Sequence, residues 1–321
     1  MPIIRAFYVS LPVYIILNLF LCSMKILVCF SGGKDSQACL IKACRDFGAG
    51  NVEAVFCDTG WEHDCTYEHI HYVVGELGCK LTTLRSKIGG FEQLCKRMKW
   101  FPDTGHRMCT TQLKIWPMID YILEFQDNIT IIQGIRSAES ATRAKMTCSG
   151  DYFAQYHMET SKRGHLYRVH DVKEWCTQHR AIVERPMFGY SAQEIIDFIL
   201  DAGQRPNPLY KRGFSRVGCF PCIYARLDDI KAMRKDMFYV ERVKELEREV
   251  NQIRVANHRK GRKASLLPVG KIPARFCLEY GNEVPSFGDV IRYVSRDDAI
   301  LNLFEGEDTT SCMSIYHGLC E

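Results

Sequence analysis

The hexapeptide Ser31-Gly32-Gly33-Lys34-Asp35-Ser36 constrains this chain more than any other stretch. The apolar run Lys25-Ile-Leu-Val-Cys-Phe30 leads into it, and the amphipathic segment 34–47 leaves it. A buried strand, a tight glycine turn and a helix make half of a parallel α/β unit. The two glycines let the backbone turn sharply and approach a ligand closely. Unpaired N–H groups and the dipole at a helix start favour an anion. Lys34 adds a point charge, and Ser31 and Ser36 add hydroxyl donors. A Walker A loop would need glycine at position 28, where Val28 stands. Ser31, Gly32, Gly33, Lys34, Asp35 and Ser36 are therefore expected to hold the phosphates of a nucleotide.

The rest of the chain supplies the sheet that such a loop requires. Short apolar runs at 26–30, 52–57, 80–84 and 129–133 read as strands. Longer segments at 34–47, 63–77 and 111–125 read as helices, the last with a kink or boundary at Pro117. This alternation predicts an α/β, Rossmann-like doubly wound parallel sheet, with ligands beyond the carboxyl ends of its strands. A weaker strand is expected at 182–186, and Ser191-Ala-Gln-Glu194 resembles a capping box opening a helix over 192–202. After Pro206 the character changes. Residues 207–222 form a loop rich in Pro, Gly and Arg, a long charged helix is expected over 227–255, and 254–263 is a basic run. The expected organisation is an apolar extension over 1–23, a nucleotide-binding domain over 24–215, and a helical, cysteine-containing C-terminal region over 216–321.

Composition narrows the class further. With 46% hydrophobic and 25% charged residues among 321, a real core can be buried and disorder is not expected. A net charge of +4 falls well short of a strongly nucleic-acid-binding profile. Sixteen cysteines in a chain this long argue for a reducing, cytoplasmic compartment, with some thiols left for metal or redox chemistry. Residues 7–22 are nearly all apolar. The run is short for a membrane span, Pro12 interrupts it, and no small-residue cleavage site follows, so an extension outside the fold is expected rather than an anchor.

In this context the loop resembles that of the ATP pyrophosphatases, in the adenine nucleotide alpha-hydrolase superfamily. Later segments resemble the phosphoadenosine phosphosulfate (PAPS) reductase branch in the same order. They are Phe56-Cys-Asp-Thr-Gly60; Gly134-Ile-Arg136 with Glu139, Ser140 and Arg143; Arg185-Pro-Met187; Asn207-Pro-Leu-Tyr210; and Gly218-Cys219. The resemblance covers about residues 24–225. It implies that ATP or PAPS is bound by the loop, by the adenosine-side turn Asp58, Thr59 and Gly60, and by Gly134, Arg136, Glu139 and Arg143. Arginines at a strand's end suit bidentate phosphate or sulfate binding. Lys34 and Asp35 are the catalytic candidates within the loop, with Mg²⁺ accompanying the nucleotide.

Cys219-Phe-Pro-Cys222 is a short Cys-x-x-Cys whose candidate partners are Cys312 and Cys320. Four thiolates suit a 4Fe-4S cluster or, as second choice, zinc. Cys109, flanked by Arg107, is a further catalytic candidate, since a nearby cation should lower its thiol pKa. Cys277 is a weaker candidate. Two departures matter. The C-terminus, Tyr316-His-Gly-Leu-Cys320-Glu, lacks the Glu-Cys-Gly-Leu-His-like motif of sulfite-forming reductases, and Lys34-Asp35-Ser36 is intact where reductases usually lose the lysine. The resemblance therefore implies adenylation coupled to sulfur transfer, as in Dnd-type DNA phosphorothioation enzymes and tRNA thiolases. The alternatives are PAPS reduction to sulfite and nucleotide binding without catalysis. Implied partners are a sulfur donor (a cysteine desulfurase or thioredoxin-like protein) and a nucleic-acid acceptor, which the run 254–263 could contact through phosphates. The sequence is also compatible with a homo-oligomer.

Overall fold

The computed structural model describes residues 25–296, except 104, 158–165, 258–262, 269 and 282–283. The apolar extension, Cys312 and Cys320 lie outside the described residues.

Six strands form one sheet: β1 (Lys25–Cys29), β2 (Val52–Asp58), β3 (Lys80–Arg85), β4 (Ile129–Gln133), β5 (Ser149–Asp151) and β6 (Ala181–Glu184), in the order β3-β2-β1-β4-β6-β5. All neighbours pair in parallel except β5, which runs antiparallel to β6 at one edge. Strands β1, β2 and β4 are buried along most of their length, so they read as continuous apolar runs rather than as alternating ones. Successive residues of β1 serve opposite layers. Val28 packs with Leu40, Ile41, Ile70 and Ile195 on one face. Leu27 packs with Ile119, Ile131 and Trp175 on the other.

The first face is covered by α1 (Lys34–Phe47), α2 (Asp64–Leu77) and, later in the chain, the helix Ala192–Asp201. The last begins on the expected capping box: Ser191 Oγ accepts from Glu194 N at 3.2 Å, and Ser191 N donates back to the Glu194 carboxylate at 2.7 Å. A third core joins Trp61, Phe91 and Leu94 to Phe220, Val243, Leu246 and Phe287, seating the C-terminal helices on the sheet domain.

Several expectations needed correction. The helix over 111–125 starts earlier, at Met108, passes through a wide π turn at Thr111–Ile115 and continues as Trp116–Ile122. Pro117 has no N–H and its ring crowds the carbonyl four residues back, which a widened turn accommodates. The single long helix over 227–255 is two, Leu227–Met233 and Met237–Ala256. Arg234-Lys235-Asp236 between them offers no apolar side chain to bury, and Asp236 turns out to pair with Arg212. Helices Phe91–Met98 and Val169–Gln178 and the short β5 had no sequence expectation.

Candidate nucleotide site

The sheet order reverses at β1. The chain leaves it toward β2 and β3 on one side and later returns to β4 on the other. Ligands of such sheets bind in the crevice outside the carboxyl ends at this switch point. The Ser31–Ser36 loop follows β1, and Gly134–Arg136 follows β4, so these two segments, about 100 residues apart in sequence, share that crevice.

Gly32 has φ +75°, and a Cβ there would meet Thr66 Cγ2 at 2.9 Å, so the turn needs glycine on both counts. Ser31 N donates to Ser36 Oγ at 3.2 Å, and Ser36 Oγ donates to Gly33 O at 2.9 Å, which closes the loop on itself. Asn207 Nδ2 donates to Gly32 O at 3.2 Å from the opposite wall. Lys34 is buried. Its ammonium lies 3.1 Å from Asp35 Oδ2 and 5.4 Å from the centre of the Tyr210 ring. The other Asp35 oxygen pairs with Arg136 Nε, giving a chain Lys34–Asp35–Arg136 across the crevice. Lys34 N–H, which the sequence suggested was free for an anion, donates to the Tyr210 hydroxyl at 3.1 Å.

Gly134 belongs to the site for a packing reason. A Cβ there would lie 2.6 Å from Ser36 N and 2.7 Å from Asp35 C, so the β4 end sits directly against the loop's backbone. Glu139 accepts from Arg136 N at 3.0 Å and pairs with Arg143. Arg143 is therefore spoken for at the rim, while Arg136 reaches the loop.

The turn Asp58-Thr59-Gly60 follows β2. Its polar groups are engaged within the protein. Asp58 Oδ1 accepts from Gly60 N and Tyr67 OH, both at 2.8 Å, and Oδ2 accepts from Arg85 Nε at 2.9 Å. Thr59 Oγ1 donates to Glu62 Oε1 at 2.7 Å, and Thr59 O accepts from Phe91 N at 2.8 Å. The side chains expected to touch a ribose or adenine thus hold the turn in shape.

Glu62 is a residue that sequence reading passed over. It is buried, accepts from Thr59, Trp61 N and Tyr67, and faces Cys219 Sγ at 3.8 Å. Glu62 and Cys219 also form a backbone bridge, and Phe220 N donates to Trp61 O at 2.6 Å. The Cys219–Cys222 loop is thereby tied to the segment that follows the Asp58-Thr59-Gly60 turn. Its position right after Asp58-Thr59-Gly60 was the one available signal for Glu62.

Cys109 lies within electrostatic reach of Cys222, and Lys114 within reach of Cys219, Glu62, Cys57 and Cys222. The expectation of an acidified Cys109 is corrected: burial, then the neighbouring Cys222, raises its thiol, and Lys114 offsets this only in part. Arg107, expected to lower it, lies instead over the Tyr224 ring, 5.8 Å from its centre. Burial likewise pushes Cys219 up to about 12. The Lys114 ammonium is held above its ordinary range by Cys219, with Glu62 and the other thiols adding to the effect.

Among the described residues, no group of three or more His, Cys, Asp or Glu side chains is arranged to hold a metal ion. Cys219 and Cys222 do not make an iron–sulfur or zinc site by themselves, and Cys312 and Cys320 lie outside the described residues. Cys277 is buried against the C-terminal core. Asp35, the one carboxylate of the loop, already has both oxygens paired, so it does not present a free Mg²⁺ ligand. Of the basic run, Arg254 is corrected. Arg254 is buried, with its guanidinium 4.2 Å from the centre of the Trp100 ring and Nη1 donating to Lys99 O at 3.0 Å, and 258–262 lie outside the described residues. Among the described residues, no helix is long and apolar enough to cross a membrane.

A parallel sheet with a glycine–lysine loop at its switch point has the architecture of a nucleotide-binding α/β protein. The model of the phosphoadenosine phosphosulfate reductase domain matches residues 25–225, and the chain belongs to that family. An uncharacterised 37.8 kDa protein of Escherichia phage 186 is 27% identical, over 92% of this chain and 96% of that protein. An uncharacterised protein of Methanocaldococcus jannaschii is 28% identical over 66% of this chain, which spans 38% of that relative's length. Similar solved structures include phosphoadenylyl-sulfate reductase from Candida auris in a phosphate complex (TM-score 0.43, 13% identity, 68% of this chain and 92% of that one). Another is FMN adenylyltransferase from Candida glabrata with FAD and inorganic pyrophosphate (TM-score 0.40, 13% identity, 61% of this chain and 55% of that one).

Proposed function

We propose that the chain is an ATP pyrophosphatase-type enzyme that adenylates an acceptor and then lets sulfur displace the adenylate. The observation that carries this reading is the buried Lys34, paired with Asp35, whose other carboxylate oxygen is held by Arg136, in a loop closed on itself through Ser31 and Ser36. In the first step an acceptor oxygen attacks the α-phosphorus of ATP, the α–β bond breaks, and pyrophosphate leaves with the electron pair. The Lys34 ammonium and the loop N–H groups other than those of Ser31 and Lys34, which are bonded to Ser36 and Tyr210, stabilise the charge that develops on the departing pyrophosphate. Mg²⁺ carried on the nucleotide's own phosphates would add to that charge neutralisation. In the second step a sulfur nucleophile replaces AMP on the acceptor. The thiols Cys109, Cys219 and Cys222, beside Lys114, are the protein's candidates for carrying that sulfur. The acceptor in this reading is a nucleic acid, and the sulfur donor is a cysteine desulfurase or thioredoxin-like protein.

A second reading has one specific observation behind it, the match to the reductase domain over 25–225. Two protein thiols would then reduce the sulfonate of PAPS, releasing sulfite and adenosine 3′,5′-bisphosphate and leaving a disulfide. Cys109 and Cys222, which pack against the same core, are the candidate thiols for that step. Incubation with ATP and, separately, with PAPS distinguishes the two. Pyrophosphate without sulfite supports adenylation, sulfite with oxidation of the cysteines supports reduction, and the absence of both overturns each reading.

A further inference from the structure

The nucleotide-side turn is held in shape by the C-terminal helix Met237–Ala256, a part of the chain beyond the family match. Arg242 Nη2 donates to Gly60 O at 2.7 Å, its Nε donates to Glu92 Oε1 at 2.8 Å, and its guanidinium covers Trp61, 4.6 Å from the ring centre. Three residues earlier on the same helix face, the Tyr239 hydroxyl accepts from Asp64 N at 3.0 Å, and its ring stacks on His63 at 4.5 Å. Both ends of the segment 60–64 are thus clamped by one helix.

The internal bonding of Asp58, Thr59 and Gly60 gives this clamp its meaning. Those side chains are occupied, so a nucleoside meets the turn chiefly as a backbone shape. Gly60 has φ +64°, a conformation open to many alternatives when unrestrained. Its N–H is fixed by Asp58 and its carbonyl by Arg242. Phe91 N on Thr59 O and the close approach of Gly90, whose Cβ would meet Thr59 O at 2.7 Å, fix the other side.

We infer that Arg242 is a positioning residue for nucleotide binding, setting the Gly60 carbonyl and the Trp61 ring so that the Asp58–Gly60 turn is preorganised for the nucleoside. The inference rests on the reading of that turn as the nucleoside side of the site. The experiment is ATP titration by calorimetry, with steady-state pyrophosphate release, on the full chain and on R242Q and R242K. R242Q is expected to weaken ATP binding about tenfold, seen as a raised KM at unchanged kcat, while Tm falls by only a few degrees. R242K keeps a donor for Gly60 O and a cation over Trp61, and is expected to recover most of the affinity. Wild-type affinity in R242Q overturns the inference alone. So does an R242K that fails as badly as R242Q with a matching loss of Tm, since that is a purely structural role. A wild-type protein that binds neither ATP nor PAPS overturns the reading of the site, and the inference with it.

Discussion

Replacing Gly134 by alanine tests the geometry of the crevice with one methyl group. The added Cβ would sit 2.6 Å from Ser36 N, 2.7 Å from Asp35 C and 2.8 Å from Ser36 Cα, whereas an ordinary contact begins near 3.4 Å. All three are backbone atoms in the first turn of α1, so no flexible side chain can swing aside. Either the end of β4 or the loop must move by about 0.8 Å, the difference between 3.4 and 2.6 Å. Overpacking of this kind costs about 1–3 kcal/mol, which in a 321-residue protein lowers Tm by roughly 1–5 °C. The functional loss should be larger than the loss of stability, because the displaced atoms are those that would cradle the phosphates. A misplacement near 1 Å can cost about 100-fold in rate. Thermal unfolding followed by circular dichroism, with ATP titration and pyrophosphate release on the same preparation, measures both. If Gly134→Ala keeps wild-type Tm and nucleotide affinity, the loop and the β4 end are not in contact as described, and the shared crevice is wrong.

Other outcomes follow from the same structure. Lys34→Met should cut pyrophosphate release by about 100–1,000-fold with little change in Tm, as expected for a charge that acts on the transition state, and unchanged release would remove Lys34 from the chemistry. Glu53 is buried in β2; burial raises its pKa, but Lys25, Thr82, Tyr121 and Lys80 overcome that and hold it down to about 2. Its contribution is therefore fully present above the ordinary carboxylate range and is lost as pH falls through 2, an effect of order 3 kcal/mol at about 1.4 kcal/mol per unit. Urea midpoints between pH 7 and 2 should fall steeply in the wild type and less so in Glu53→Gln. Glu247 has the opposite sign, since burial raises it to about 7 although it accepts from Leu266 N and Phe287 N, each at 2.8 Å. Its protonated form favours the folded state, so this contribution is complete below its ordinary value and disappears as pH rises through 7. A stability profile flat from pH 5 to 8 in the wild type would contradict it.

Much of the sheet was legible because its signals are local. Strand β4 falls where its apolar run placed it, and α1 occupies 34–47 as expected. The capping box at Ser191 closes as its two side chains require. The errors came where a distant partner decides. Whether 227–255 is one helix or two depends on what buries each face, and Arg234-Lys235-Asp236 has nothing to bury. Cys109 looked activated by the neighbouring Arg107, but burial beside Cys222 decides its chemistry. Arg254 opens the basic run 254–263, yet its guanidinium is turned to Trp100 and Lys99.

By itself the sequence determined the strand–glycine turn–helix unit at Ser31–Ser36, the parallel α/β order and the family, because glycine conformation, helix capping and hydrophobic period act over a few residues. The tertiary structure decided that Arg136 reaches Asp35, that Tyr210 takes the Lys34 N–H, that Glu62 joins the Asp58–Gly60 turn to Cys219, and that Arg242 clamps Gly60. Each of these is a contact between segments distant in the chain or a choice of side-chain direction, and only the packing of the sheet, the loop and the C-terminal helix fixes it.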